Sequence, residues 1–288
     1  MGRYKDGLIQ EKKNGGFMRL SINGATTMPY SLQEDIVFAH KMKFEGIEIW
    51  YDKLKKYLSE GNTPAKLQEL LWSAELEPSA ICSVPLAIFS DPAENIKELI
   101  KAAEIGAQID CNTIVIYPSD FQPANMSKIE AVQKASDLLR DYAEVVRPYK
   151  TKLAFESFAN HPYVPGPSEV LEIIHRIGNE NVGILIDTYH YYKSKIGLDE
   201  IEKIPVENIF LVHINDYKNI EGETNEQKKI VYPGAGEIPL FDTLKLLKAK
   251  DYKGFVSVEV MNEDNWKESP EKILFEAKKS IDELMGKI

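Results

Sequence analysis

Short apolar runs recur along the chain, separated by longer stretches in which apolar and polar positions alternate with helical spacing. Each run has five or six residues and is rich in Ile, Val and Phe. Continuous apolar strands are typical of a parallel sheet that is covered on both faces. The pattern therefore predicts eight strands: Met18–Asn23, Gly46–Trp50, Ser79–Val84, Thr113–Tyr117, Lys152–Glu156, Val182–Asp187, Ile209–His213 and Phe255–Glu259.

The stretches between these runs predict amphipathic helices. In the first of them, apolar residues recur with helical spacing behind Ser31, which is a capping signal. The predicted helices are Leu32–Lys43, Ala93–Ile105, Lys128–Val146, Ser168–Ile177, Phe241–Lys250 and Pro270–Met285. The charged run Lys53–Lys56 is interpreted as a solvated face, and Asn219–Lys229 as a long loop.

The spacing of the strands favours one α/β domain. Eight units in 288 residues give about 36 residues each, an ordinary length for a strand followed by a helix. Consecutive parallel units close most economically as an eight-stranded barrel, so residues 18–288 are predicted to form a single (β/α)₈ barrel and residues 1–17 an N-terminal extension. The competing open sheet usually carries a glycine-rich loop after its first strand, where this chain has only Gly24.

The composition excludes several classes of protein. With 43% hydrophobic and 10% aromatic residues, the chain is not a disordered one. A net charge of −10 argues against nucleic acid as a partner, because phosphates are neutralised by Lys and Arg. Two cysteines fit a reduced compartment, and no apolar run reaches the length of a membrane span or a signal core. We therefore expect a cytoplasmic protein that acts away from membranes.

Four successive predicted strands end in residues that can bind a metal. Glu156, Asp187 and Glu259 end strands five, six and eight, and His213 ends strand seven. Each alone is as readily explained as a polar strand end that meets water. In barrels, however, active sites form at the carboxyl ends of the strands, and three carboxylates sharing one rim would repel one another without a cation. The sequence therefore predicts one divalent ion: Mn²⁺ first, then Co²⁺, Fe²⁺, Mg²⁺ or Zn²⁺.

The arrangement resembles the sugar phosphate isomerase/epimerase superfamily of xylose isomerase-like TIM barrels. That superfamily includes ketose 3-epimerases, inosose isomerases and inosose dehydratases. The resemblance runs from Met18 to about Met285. It is carried by Gly46–Ile49, Glu156, Asp187–His190, His213–Asp216, Pro233–Ile238 and Tyr252–Phe255 leading to Glu259.

The resemblance implies the function of the strand-end residues. Glu156, Asp187, His213 and Glu259 would hold the ion, and Glu156 and Glu259 would also serve as the catalytic acid and base. The reaction would be the isomerisation or epimerisation of a keto-sugar or keto-polyol through a cis-enediolate. His190 matches a position that contacts a substrate oxygen.

Further residues near these motifs are expected at the site. Trp50 points into the barrel if its strand alternates normally, and would form an apolar wall against a sugar. The ketose 3-epimerases carry a glutamate and an arginine where this chain has Pro162 and Asn219, so Lys218 is expected to supply a cation for substrate binding. Asp216 is expected either to orient the metal-binding imidazole or to lie in a solvated turn.

Three other functions are compatible with the barrel. An inosose-type dehydratase would use the same metal and enolate but expel a hydroxyl group. An endonuclease IV-like enzyme would need further histidines after strands three and four, where this chain has Ser83-Val84 and Tyr117-Pro118. A non-catalytic barrel would be favoured by the loss of a ligand residue, and none is lost. A homo-oligomer is also open, since members of the superfamily are often dimers or tetramers.

Overall fold

The protein is described by a computed structural model of residues 18–178 and 180–288. Its strands are β1 (Arg19–Asn23), β2 (Gly46–Trp50), β3 (Glu77–Leu86), β4 (Thr113–Pro118), β5 (Lys152–Glu156), β6 (Val182–Asp187), β7 (Ile209–Ile214), β8 (Asp216–Tyr217), β9 (Ile230–Val231) and β10 (Phe255–Val258). All except β8 and β9 are parallel and close into a barrel in the order β1-β10-β7-β6-β5-β4-β3-β2. The predicted (β/α)₈ barrel is confirmed, whereas the predicted extension 1–17 lies outside the described residues.

Helices cover the outside of the barrel. They are α1 (Leu32–Lys41), α2 (Tyr51–Ser59), α3 (Pro64–Ser73), α4 (Ala93–Gln108), α5 (Lys128–Val146), α6 (Pro167–Ile177), α7 (Thr188–Lys193), α8 (Leu198–Glu202), α9 (Leu240–Ala249) and α10 (Pro270–Met285). The sequence pattern missed α2, α3, α7 and α8, of which α7 and α8 have only six and five residues and so give few helical repeats. None of the described helices has both the length and the apolar composition needed to cross a membrane.

The apolar side chains form two layers because successive residues of a strand point to opposite faces. A small inner group comes from six barrel strands, with two residues from β3 and one from each of the other five: Ala80, Cys82, Val115, Ala154, Leu185, Leu211 and Phe255. The alternate positions, such as Ile114 and Ile116, belong to the large cluster between strands and helices. This inner layer fills the barrel below the carboxyl ends of the strands. Polar residues at those ends therefore lie above a packed apolar layer.

One charged residue departs from the sequence interpretation. Lys53 was interpreted as part of a solvated run, but only 7% of its surface is exposed. Its Nζ lies 2.7 Å from Oδ2 of Asp35 on α1 and donates to the backbone oxygen of Thr27 at 2.8 Å. A buried charge requires such partners, and the pair joins α1, α2 and the turn after β1. A run of charges along a helix does not show which member faces inward.

Candidate active site and metal centre

The four predicted ligand residues meet at the carboxyl-terminal rim of the barrel. Glu156 and Asp187 end β5 and β6, His213 lies one residue before the end of β7, and Glu259 directly follows β10. These four strands are consecutive in the barrel, and Asp187 and His213 are register partners. One ligand atom from each side chain lies within 4.8 Å of the others, and all four residues are buried.

The imidazole of His213 is at the centre of this cluster. Its Nδ1 lies 2.9 Å from Oε2 of Glu259, 3.4 Å from Oε1 of Glu156 and 3.8 Å from Oδ2 of Asp187. Despite these short distances, Nδ1 makes no hydrogen bond. On the other side of the ring, Nε2 lies 2.9 and 3.0 Å from the two carboxylate oxygens of Glu48.

These contacts define what the ring can bind. Since a carboxylate only accepts hydrogen bonds, the contact with Glu48 makes Nε2 of His213 the donor. In the neutral imidazole, Nδ1 then carries a lone pair directed at three carboxylates. A histidine that binds a metal usually donates its other ring N–H to a carboxylate in this way. The donor set, one imidazole nitrogen and three carboxylates, fits one divalent cation between them.

The electrostatics also require a positive charge at this point. Burial by itself would lower the pKa of His213, but the carboxylates of Glu259 and Glu48 raise that pKa well above its ordinary value. Burial raises the pKa of Glu156, opposed by its interaction with His213. The clustered carboxylates therefore favour a positive charge among them. Without a metal, the protonated imidazole of His213 supplies that charge.

Two asparagines, which sequence reasoning missed, hold the carboxylates of Glu259 and Asp187 in place. Asn23, at the end of β1, donates through Nδ2 to Oε1 of Glu259 at 3.0 Å. Asn215, after β7, donates through Nδ2 to Oδ2 of Asp187 at 3.0 Å. Asn215 in turn accepts from Oγ1 of Thr188 at 2.7 Å. The Asn23 bond leaves Oε2 of Glu259 facing the cluster, whereas Asn215 binds Oδ2 of Asp187, the oxygen that lies 3.8 Å from Nδ1 of His213.

A cavity of about 490 Å³ opens above the cluster, within the range of small-molecule sites. Glu156 and Glu259 line this cavity together with Trp50 and His190, and the apolar side chain of Phe158 forms part of its wall. A second cavity of about 530 Å³, beside α7 and α8, is lined by none of the cluster carboxylates. The candidate active site is therefore the first cavity, because the carboxylates of Glu156 and Glu259 line it.

The predicted substrate-binding residues have different positions. Trp50 and His190 both line the cavity, as the sequence predicts. Nδ1 of His190 accepts from the backbone N–H of Ala159 at 3.2 Å, so the neutral ring carries its proton on Nε2, and the ring lies 4.6 Å from that of Phe158. Lys218 is exposed beside the β8–β9 hairpin and is not among the residues that line the cavity.

Asp216 has neither of its two expected positions. Its side chain is buried and accepts from the backbone N–H groups of Gly234 at 3.0 Å, Gly236 at 2.8 Å and Ile238 at 2.9 Å. Gly234 has φ +84°, and a Cβ on Gly236 would clash with the Asp216 carboxylate, so both glycines are required here. Asp216 therefore fixes the loop before α9, and Glu48 is the residue that orients His213.

The fold and this site define the class of protein. The chain belongs to the xylose isomerase-like TIM barrel family, which matches residues 36–282. It is similar to inosose isomerases from Halalkalibacterium halodurans and Bacillus subtilis, each 28% identical. The alignments span 277 and 278 residues and cover 94% of this chain and 97% and 99% of the relatives.

A similar crystal structure is that of the IOLI protein with a binding zinc atom. It aligns with a TM-score of 0.85 and 25% identity, and covers 94% of this chain and 99% of that one. The family, the similar isomerases and the four-residue cluster together support a divalent metal centre in an enzyme of this family.

Proposed function

We propose that the protein is a divalent-metal-dependent isomerase or epimerase of a keto-sugar or keto-polyol. The observation that carries the proposal is Nδ1 of His213, which faces three carboxylates without a hydrogen bond. A divalent ion held by His213, Glu156, Asp187 and Glu259 would act as a Lewis acid towards the negative charge that develops on substrate oxygens.

The ligand residues divide into two kinds. Glu156 and Glu259 also line the cavity, whereas Asp187 and His213 lie beneath its surface. The first two belong to strand ends separated by β6 and β7, so they approach a bound substrate from different sides. One carboxylate takes the proton from the carbon beside the carbonyl, and the other returns a proton to the cis-enediolate.

Other residues of the cavity bind and orient the substrate. His190 donates from Nε2 to a substrate oxygen, and Trp50 gives an apolar face to the carbon skeleton. Lys218 stays a prediction, since it is exposed and is not among the residues that line the cavity.

The similar enzymes indicate which substrates to test first, and the ligand residues indicate which metal ions to test first. Since the similar bacterial enzymes are inosose isomerases, cyclic keto-polyols are the first substrates to test. Three carboxylate ligands favour Mn²⁺, and the zinc atom of the similar structure makes Zn²⁺ the second ion to test.

The experiment is proton NMR of products formed in D₂O by the metal-loaded protein, with chelator added and protein removed before measurement. The panel contains inososes, D-fructose and D-psicose. We expect deuterium at the carbon beside the carbonyl together with a new isomer. Loss of water with an enolic or diketone product would identify the dehydratase instead. Absence of exchange in every sample with bound metal would contradict both.

An endonuclease IV-like activity has less support in the structure. Among the described residues, each group of side chains that could hold a metal includes His213, so a second independent centre is not formed by them. The multi-metal arrangement that such an enzyme needs is therefore not part of our proposal.

A further inference from the structure

A second charged group lines the same cavity and is not used by the metal or by proton transfer. It consists of Asp52 and Lys55 on α2 and Glu98 on α4. These helices follow β2 and β3, which lie across the barrel from β6 and β7. A substrate held at the metal cluster would therefore extend its far end towards this group.

The three side chains have incomplete hydrogen bonding. Nζ of Lys55 lies 2.7 Å from Oδ1 of Asp52 and 4.0 Å from Oε2 of Glu98. Oε2 of Glu98 is buried and has no hydrogen-bond partner, although 32% of the side chain is exposed. The hydroxyl of Tyr51 donates to the backbone oxygen of Glu98 at 3.2 Å and so joins α2 to α4. The group is thus held on two helices, and the Asp52 and Lys55 side chains are its more exposed members, at 74% and 40%.

This pattern matches a hydroxyl group. An ammonium group has three donors, so Lys55 keeps donors beyond the one directed at Asp52. A substrate hydroxyl can donate to the exposed Asp52 carboxylate and accept from Lys55 at the same time. A phosphate or carboxylate offers mainly acceptors, and it would meet two carboxylates and only one ammonium.

We propose that Asp52, Lys55 and Glu98 form a subsite that binds the hydroxyl groups at the far end of the substrate and rejects substrates that carry a phosphate there. The subsite rests on the proposed function, because it shares the cavity of Glu156 and Glu259. It narrows the substrate class to neutral keto-sugars and keto-polyols.

The test is a binding measurement that does not depend on turnover. Saturation-transfer difference NMR on the Zn²⁺-loaded protein compares D-fructose with D-fructose 6-phosphate. We expect D-fructose to bind about tenfold more tightly, because like charges oppose the phosphate. The variant D52N/E98Q should lose this preference, and Lys55→Gln should weaken binding of D-fructose. Glu94→Gln is the matched control, since Glu94 lies on α4, is exposed and pairs with Lys97.

The outcomes separate the subsite from the proposed function. Equal binding of the two sugars, tighter binding of the phosphate, binding of neither sugar, or an unchanged preference in D52N/E98Q would each overturn the subsite. If deuterium exchange in the wild type persists alongside any of these results, the isomerase proposal stands and only the subsite fails. A preference for the neutral sugar without exchange on any substrate would support the subsite and contradict the isomerase.

Discussion

Nε2 of His213 lies 2.9 Å from Oε1 of Glu48, and both side chains have no exposed surface. The two residues are 165 positions apart in the chain, on strands β7 and β2. Because Glu48 only accepts, it keeps the proton on Nε2 and leaves Nδ1 free for a metal. The state of the ring is thus set by a residue that does not itself bind the ion.

Replacing Glu48 tests this relationship. In Glu48→Gln, the side-chain amide is able to donate to Nε2, which allows the proton to move to Nδ1 and removes the lone pair from the metal position. We expect metal affinity to fall by about 10- to 100-fold, the usual cost of losing such a partner. Isothermal titration with Zn²⁺ measures the change, and Glu94→Gln should keep the wild-type affinity. An unchanged affinity in Glu48→Gln would show that Glu48 does not select the state of the ring.

The two glutamates that we propose as proton-transfer groups, Glu156 and Glu259, should each be required for turnover. Glu156→Gln and Glu259→Gln remove the proton-transfer group while keeping its size. We expect both to abolish isomerisation, because the reaction needs an acid and a base. Turnover is followed by NMR, with metal content measured in the same samples to separate loss of the base from loss of the ion. A loss of less than about tenfold in both variants, which is about 1.4 kcal/mol, is incompatible with the two-carboxylate scheme.

The metal-free protein should lose stability as the pH rises. The pKa of His213 is raised in the fold, so the protonated ring stabilises the protein fully below its unfolded pKa, about 6.5, and this contribution is lost as pH rises through the folded pKa. The raised pKa of Glu156 acts in the same direction. Thermal unfolding with chelator should therefore show a falling Tm above about pH 6.5, and added metal should restore stability most at high pH. A Tm that rises over this range without metal would contradict the scheme.

The buried ion pair of Lys53 on α2 and Asp35 on α1 should affect the stability of the fold rather than the reaction. Lys53→Met leaves the Asp35 carboxylate buried without its cation, which costs about 3–5 kcal/mol. Burial already raises the pKa of Asp35 to about 6 even with Lys53 present. Since a protonated Asp35 no longer needs the cation, the variant should be less destabilised at pH 5 than at pH 8. Denaturant unfolding measures both values, and Lys56→Met, an exposed neighbour, should change little. Equal destabilisation at the two pH values would count against this explanation.

The sequence was sufficient for the barrel and for the proximity of the four strand-end residues. Apolar strands at regular spacing specify the barrel, and parallel strands bring their carboxyl ends to one rim, so Glu156 and Asp187 could be placed together without coordinates. The residues that hydrogen-bond to the cluster could not be predicted from the sequence. Asn23 and Glu259 are 236 positions apart, and their contact depends on how β1 and β10 close the barrel. The contact between Glu48 and His213 likewise depends on the shape of the barrel interior.

The charged residues of α2 show a second limit. Lys53 and Lys55 lie two positions apart in one polar stretch, yet the first is buried against Asp35 and the second lines the cavity above the four-residue cluster. Their roles depend on where α2 lies against α1 and α4. A single sequence carries no periodic signal for that packing, because α2 has only nine residues.

The most direct test of the metal centre is anomalous diffraction from crystals grown with Mn²⁺, with data collected at the manganese edge. Our account predicts one peak per chain, within bonding distance of Nδ1 of His213 and of Glu156, Asp187 and Glu259, while Nε2 keeps its contact with Glu48. A peak bonded to Nε2, or no peak among these four residues in Mn²⁺-saturated crystals, would contradict it.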